Sequence, residues 1–433
     1  MNGFTIGFAG MTHLGLISAA ASAVRGFRTV CFDPDAQLIA RLKAVELPVV
    51  EPGLPELLRE HGRMLSFTAD AAALKQCDIV YIASDVPTDD AGQSDLGGIR
   101  TLLDSVAPRL GATALLVVLC QVPPGFTRGL AVSPSRLFYQ VETLVFGQAV
   151  ERAIHPERII LGCAEPSRPL PDVLAAYLRA FGCPLLTMRY ESAELAKISI
   201  NCCLVASVTV ANTLAGLSER VGADWSEIVP ALKLDRRIGQ YSYLTPGLGL
   251  AGGNLERDLA TVLRLAEVTG SHVELVRAFF ADSRQRRDWP LRTLHQELLA
   301  GNSAAVVAVL GLAYKENTHS TKNSPSLALI RHLGSWPLRV HDPVVPALAA
   351  GHHRATGCAT ALEAATGADA LAIMTPWPAY RKISVSDLHR VMRGRVILDP
   401  YRVLDGAAAH EAGFDYFTLG VPALRANGKP ARA

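Results

Sequence analysis

The chain has 433 residues, 49% hydrophobic and 19% charged, with a formal net charge of +2. This length exceeds one ordinary domain, and the composition excludes a disordered chain. The near-neutral charge gives no footing for a nucleic-acid or membrane-surface partner, and the eight cysteines show no Cys-x-x-Cys or Cys/His spacing for a metal.

In chain order, Phe4-Thr-Ile-Gly-Phe-Ala9 predicts a short buried strand, followed by a glycine turn and an Ala-rich helix from near Leu14. Arg28 to Phe32 predicts a second strand, ending at Asp33. Cys77 to Ala83 and Ala114 to Leu119 predict further buried strands. Strands separated by helical stretches imply a parallel sheet covered on both faces. From about Ser192 to Val221 the sequence predicts one long helix with no Pro and a single glycine, Gly216. It is apolar nearly all round, as a helix buried between domains or subunits is. A Gly-rich loop from Gly239 to Gly253 follows, then helix to about Leu299. Ala305 to Leu312 starts a second alternation, with a helix at Pro325 to His332 and strands at Leu338–His341, Ala370–Met374 and Arg395–Leu398. The expected fold is α/β, with two Rossmann-like parallel-sheet domains, 1–190 and 301–433, joined by a central helical domain, 191–300. Scattered thiols fit a reducing compartment. The N-terminus enters a strand without an apolar leader, and no uninterrupted apolar run reaches about 18 residues. A cytoplasmic protein without a membrane partner is expected.

The first turn is Gly10-Met-Thr12-His-Leu14-Gly15. A dinucleotide turn uses one glycine for the tight bend, one for close approach of the pyrophosphate and one for helix–strand packing. Thr12 stands at the second of these. Its Cβ takes space from a pyrophosphate, while its hydroxyl can donate to a phosphate oxygen, and the helix N-terminus supplies free N–H groups. Asp33, at the end of the second strand, can accept both ribose hydroxyls of NAD and would repel the 2′-phosphate of NADP.

Several further segments, taken in order, resemble the UDP-glucose/GDP-mannose dehydrogenase family. They are Leu47-Pro-Val-Val-Glu-Pro-Gly-Leu-Pro-Glu56, Glu151 to Gly162 with His155-Pro-Glu-Arg158, Ala193-Glu-Leu-Ala-Lys197-Ile-Ser-Ile-Asn201 and Asp235-Arg-Arg237-Ile-Gly239. Gly247 to Asp258, Val307 to Thr318 followed by Ser324-Pro325, His341-Asp-Pro343 and Thr375-Pro-Trp377 continue the series. The resemblance implies an NAD-dependent oxidation of a nucleotide sugar by a homodimer. It assigns Lys197, Asn201, Asp258, Asn254 and Glu142 to the reacting centre. Lys197 and Asn201 are four residues apart and share a helix face; an ammonium there stabilises an alkoxide and an amide orients a water. The resemblance further places Gly10, Thr12, Leu14, Gly15, Asp33, Val86, Gln121, Arg257 and Lys322 against the cofactor. It puts Arg237, Tyr243, Gly249, Gly252 and Lys315 against the sugar nucleotide, together with Lys197 and Asn201. Taken singly, a helix lysine is commonly a snorkelling cation and an early helix aspartate a cap; the order of the segments carries the assignment.

The departures cluster. The family's nucleophilic cysteine, which captures an aldehyde as a thiohemiacetal, is Asn254 here. A second glutamate after Glu142 is Phe146, a threonine is Gln121, and the lysine before Asp258 is Arg257. The Asp-Asp-x-Arg near the third-domain entry reads His319-Ser-Thr-Lys322. Cys120 ends a strand as a small buried hydrophobe would. The expectation is one hydride transfer with release of an aldehyde or ketone sugar nucleotide. The alternatives are two oxidations through a bound gem-diol, or a catalytically silent sugar-nucleotide-binding homologue.

Overall fold

The computed structural model describes residues 3–89 and 92–426. Two compact units divide within the long helix, residues 1–200 and 201–433.

The first unit is built on an eight-stranded sheet of β1 (Thr5–Ala9), β2 (Arg28–Phe32), β3 (Leu65–Thr68), β4 (Ile79–Ile82), β5 (Leu115–Val118), β6 (Leu137–Gln140), β7 (Ile159–Cys163) and β8 (Leu185–Arg189). Their order is β3-β2-β1-β4-β5-β6-β7-β8, and only the β6–β7 pair is antiparallel. The two-residue side-chain period explains why these strands are apolar without alternation. Ile6 and Phe8 of β1, Ile79 and Tyr81 of β4, and Leu115 and Val117 of β5 pack into one core. Ala9, Val80, Ile82, Leu116 and Val118 pack into a second core on the opposite face. The helix His13–Val24 covers the first face through Leu14, Leu16 and Ile17, and Gly97–Val106 covers the second through Ile99, Leu102 and Leu103.

The second unit holds the remainder of the long helix Tyr190–Val221, helices Trp225–Leu234, Asn254–Thr269 and Glu274–Arg287, and a six-stranded sheet. Its strands are β9 (Val307–Leu310), β10 (Leu338–His341), β11 (Ala355–Gly357), β12 (Ala370–Ile373), β13 (Val396–Leu398) and β14 (Asp415–Phe417). The neighbouring strands of this sheet pair in parallel, in the order β11-β10-β9-β12-β13-β14. This is the doubly wound order with its switch point between β9 and β12, as the first sheet has between β1 and β4; ligands of open α/β sheets bind at such points.

The two sheets share one device. Gly10 N–H donates to Phe32 O at 2.9 Å, and Gly311 N–H donates to His341 O at 2.8 Å. The residue after the second strand then braces the turn after the first. Asp33 Oδ2 accepts from Met11 N–H at 2.7 Å, and Asp342 Oδ2 accepts from Leu312 N–H at 2.6 Å and Ala313 N–H at 3.1 Å. Asp342 also accepts from Val344 and Val345 N–H and from Trp377 Nε1–H. Among the described residues Asp33 has one further donor, Asp35 N–H, so its carboxylate keeps more acceptor capacity for a ligand than that of Asp342.

The long helix begins at Tyr190, two residues before the expected start, and is long and apolar enough to span a membrane by length and composition. Several of its polar side chains are nonetheless buried within the protein, among them Glu194, Lys197, Asn201 and Asn212. β2 stops at Phe32, so Asp33 lies one residue beyond the strand that sequence reasoning let it end.

Candidate functional site

In the first unit, the turn after β1 is shaped by two close approaches. Gly10 has φ +96°, and a Cβ on Gly15 would lie 1.8 Å from Gly10 O, so helix and turn touch backbone to backbone. Thr12 flanks the helix without capping it through its side chain; its Oγ1 accepts from Asp85 N–H at 2.9 Å. The hydroxyl proton is left to donate elsewhere. Leu14 is buried in the helix and Val86 lies in the second core. Asp33 is buried beside the turn, as a ribose-binding carboxylate at the end of a second strand would be.

The loop after β5 carries Gln121. Cys120, which precedes it, is fully buried: its Sγ accepts from Ser84 N–H and donates to Ile82 O, and burial pushes its thiol up to about 12. It is a neutral strut between β4 and β5, not a thiolate. The loop is pinned to the long helix by Glu194, whose carboxylate has 0% exposure and accepts from Gly125 N–H at 2.6 Å and Thr127 N–H at 2.9 Å. Burial raises the Glu194 pKa, and the bonds from Thr127 and Gly125 oppose that rise.

Lys197, one helical turn beyond Glu194, pairs with Glu142 just after β6, Nζ to Oε2 at 3.3 Å, both side chains largely buried. An ammonium held beside a carboxylate out of bulk water is suited to stabilise a developing alkoxide. Four residues after Glu142, the Phe146 ring stacks on His13 with centroids 4.1 Å apart. His13 in turn meets Glu51 at 3.0 Å, and Glu51 accepts from Gly147 and Ala149 N–H. Glu51 therefore joins the Pro-Gly-Leu segment, the turn after β1 and the loop after Glu142.

In the second unit, Asn201 Nδ2 donates to Asp258 Oδ2 at 2.5 Å, and Arg257 Nε lies 3.6 Å from Asp258 Oδ1. Asp258 is inside the helix Asn254–Thr269 and 2% exposed, so it is not a cap. Asn254 is the first residue of that helix, with its side chain exposed. The loop ahead of it is fixed through its backbone. Gly247 N–H donates to Asn212 Oδ1 and Leu250 N–H to Ser283 Oγ, each at 2.8 Å. Gly249 has φ +78°, and a Cβ there would lie 2.4 Å from Ser283 O. Cys202, beside Asn201, packs with Val205 and Leu250; burial, then the nearby Asp258, pushes its thiol up to about 11.

Of the remaining expected residues, Arg237 is exposed and forms a two-pronged pair with Asp235, and Tyr243 is half exposed. Lys315 lies over the Tyr314 ring at 5.8 Å. Lys322 O accepts from Gly252 N–H at 3.0 Å. Sequence reasoning assigned no role to Glu194, His13, Glu51, Asn212, Ser283 or Asn323. Glu194, Glu51 and His13 stood inside quoted motifs; Asn212, Ser283 and Asn323 carry no local signal. Among the described residues no group of three or more His, Cys, Asp or Glu side chains could hold a metal ion.

Residues 4–177 match the NAD binding domain of the UDP-glucose/GDP-mannose dehydrogenase family, 191–281 its central domain and 308–406 its UDP binding domain. The chain is 30% identical to a UDP-glucose 6-dehydrogenase of Pseudomonas aeruginosa, over 95% of this chain and 96% of that one. It is 28% identical to the UDP-glucose 6-dehydrogenase TuaD of Bacillus subtilis, over 96% and 93%. A solved UDP-glucose dehydrogenase from Pyrobaculum islandicum superposes with a TM-score of 0.83 at 27% identity, covering 96% of this chain and 98% of that chain. The UDP-D-ManNAc dehydrogenase of Pyrococcus horikoshii shares the fold, with a TM-score of 0.82 at 22% identity over 96% and 99%.

Proposed function

Since the chain belongs to the UDP-glucose/GDP-mannose dehydrogenase family, we propose that it oxidises one hydroxyl of a nucleotide-sugar hexose in a single two-electron step. It is an NAD-dependent oxidoreductase acting on CH–OH groups, so the proposal concerns how far oxidation runs. The product is the aldehyde or ketone sugar nucleotide, and UDP-glucose, the sugar nucleotide in the relatives' names, is the default substrate.

The first unit fits NAD. The Gly10–Gly15 contact leaves the turn without a Cβ at its closest point, the helix N-terminus presents N–H groups to a diphosphate, and Asp33 offers acceptor capacity to a ribose. Gly10, Thr12, Leu14, Gly15, Asp33, Val86, Gln121, Arg257 and Lys322 are the residues we assign to it. When bound, NAD accepts the hydride. Lys197 stabilises the alkoxide as the hydroxyl proton leaves, with Glu142 holding the ammonium in place. Asp258 takes that proton through a water oriented by the Asn201 amide. Arg237, Tyr243, Gly249, Gly252 and Lys315 are assigned to the sugar nucleotide.

The observation that carries the single-step reading is the carboxamide at position 254. An amide nitrogen is not a nucleophile and cannot form the thiohemiacetal that a second, covalent oxidation uses. Neither Cys120 nor Cys202 supplies a thiolate instead, since burial favours the neutral thiol at both. The test is the yield of NADH per UDP-glucose consumed, with the product identified by mass spectrometry. One NADH and a carbonyl product are expected. Two NADH and a uronate would establish the gem-diol route, and sugar-nucleotide binding with no NADH would establish a silent homologue.

We further propose a cytoplasmic homodimer, functionally divided at 1–190, 191–300 and 301–433. Val210, Leu214, Leu217 and Val221 recur at intervals of four, three and four along the long helix and are all exposed, which supports burial of that face against a second copy.

A further inference from the structure

The segment that leaves β9 runs from the switch point of the second sheet to the helix Pro325–His332. On the way it passes over the loop ahead of Asn254. Gly252 has φ +79°, and a Cβ there would lie 3.1 Å from the Tyr314 ring, so the ring closes directly on the backbone. Gly252 N–H donates to Lys322 O at 3.0 Å. Asn323 completes the contact from the other side: its Nδ2 donates to Gly252 O at 2.9 Å and also to Glu256 Oε2. Both polar groups of the Gly252 peptide positions facing this segment are thereby held by it.

Asn323 itself sits at φ +50°, a region that non-glycine residues rarely enter and that asparagine tolerates best. Position 323 must therefore accept a left-handed backbone and deliver two N–H donors at once, one to a carbonyl and one to a carboxylate. Glycine meets only the first requirement. Aspartate adopts the backbone but would turn an acceptor toward two acceptors. The residues it fastens, Gly252 and Glu256, lie two positions either side of Asn254.

We propose that Asn323 is a positioning residue that couples the nucleotide-binding segment after β9 to the loop presenting Asn254, so that filling the nucleotide site stiffens residues 249–256. The inference rests on the proposed reading of 308–406 as the part that takes the nucleotide. Asn323 acts through Gly252 and Glu256 and not on a reacting atom.

The experiment compares wild type with Asn323→Gly, which keeps the backbone conformation and removes both donors. Free UDP is the probe, with its affinity measured by calorimetry and amide exchange of residues 249–256 followed with and without it. In wild type, saturating UDP should slow exchange across 249–256 at least fivefold. In Asn323→Gly, UDP should bind within about threefold of wild type but protect that stretch less than twofold, and kcat should fall about tenfold with KM for the sugar nucleotide little changed. Asn323→Asp should show the same loss of protection. Equal protection in wild type and both variants would overturn the inference, as would UDP binding to wild type with no protection of 249–256. Failure of UDP to bind wild type would overturn the nucleotide reading itself and take the inference with it.

Discussion

Asn201 Nδ2 lies 2.5 Å from Asp258 Oδ2, and this contact ties the long helix to the helix that Asn254 opens. Both side chains are buried, and the carboxylate is approached on its other oxygen by the Arg257 guanidinium. Asp258 is thus oriented from two sides, by a neutral donor and by a cation.

Replacing Asp258 with Asn removes the proposed proton acceptor and takes the carboxylate charge away from the Arg257 guanidinium. We expect kcat to fall by about 10²- to 10⁴-fold and stability to fall by about 3 kcal/mol, as when one member of a buried pair is removed. Steady-state NADH formation and urea denaturation measure the two. A variant retaining wild-type kcat would remove Asp258 from the chemistry.

Asn254→Cys places a thiol at the start of its helix, where an N-terminal dipole favours the thiolate. Phe146 still stacks on His13, and Gln121 still occupies its loop. The single variant is therefore expected to make little uronate from UDP-glucose by mass spectrometry. Substantial uronate would show that Phe146 and Gln121 hardly limit the second oxidation.

Glu194→Ala should leave the Gly125 and Thr127 N–H groups without their acceptor. Each such loss costs about 1–3 kcal/mol when the group stays buried. Because Gln121 lies in the same loop, KM for NAD should rise several-fold while KM for the sugar nucleotide stays near wild type. Parallel rises in both constants would assign Glu194 to general stability alone.

Acid stability should report on Asp342. Burial alone would raise its pKa, but the backbone N–H groups of Val345, Leu312, Val344 and Ala313 hold the carboxyl below its ordinary 3.8. A depressed folded value means the stabilisation is complete above the unfolded pKa and is lost as pH falls through the lower folded one. In denaturant titrations, Asp342→Asn should be less stable than wild type by a constant amount above about pH 5, and the gap should narrow below about pH 4. A gap independent of pH would place the effect of Asp342 in side-chain shape, not charge.

Much of the fold was legible where a segment is buried on both sides. The helix Pro325–His332 and the strand Leu338–His341 have the bounds the residues suggested, and β1, β2, β4, β5, β9, β12 and β13 fall within or match the apolar runs read for them. β3 and β8 were not legible. They sit at the two ends of their sheet, and none of their residues is fully buried. An edge strand supplies no continuous apolar run, and its identity comes from the neighbour that hydrogen-bonds to it.

The sequence by itself determined the chemistry available: a glycine turn with Asp33 beyond it, Lys197 and Asn201 four apart on one helix, and a carboxamide at 254. Only the tertiary structure decided the partners. Glu142 reaches Lys197 from 55 positions away, Glu51 joins His13 to the loop at Gly147, and Asn323 grips Gly252 from 71 positions away. Local preference acts over a few residues and leaves its mark in composition and period. A contact between distant side chains depends on how whole sheets and helices close upon one another, and a lone Glu or Asn in the chain looks the same whether or not that closure brings it a partner.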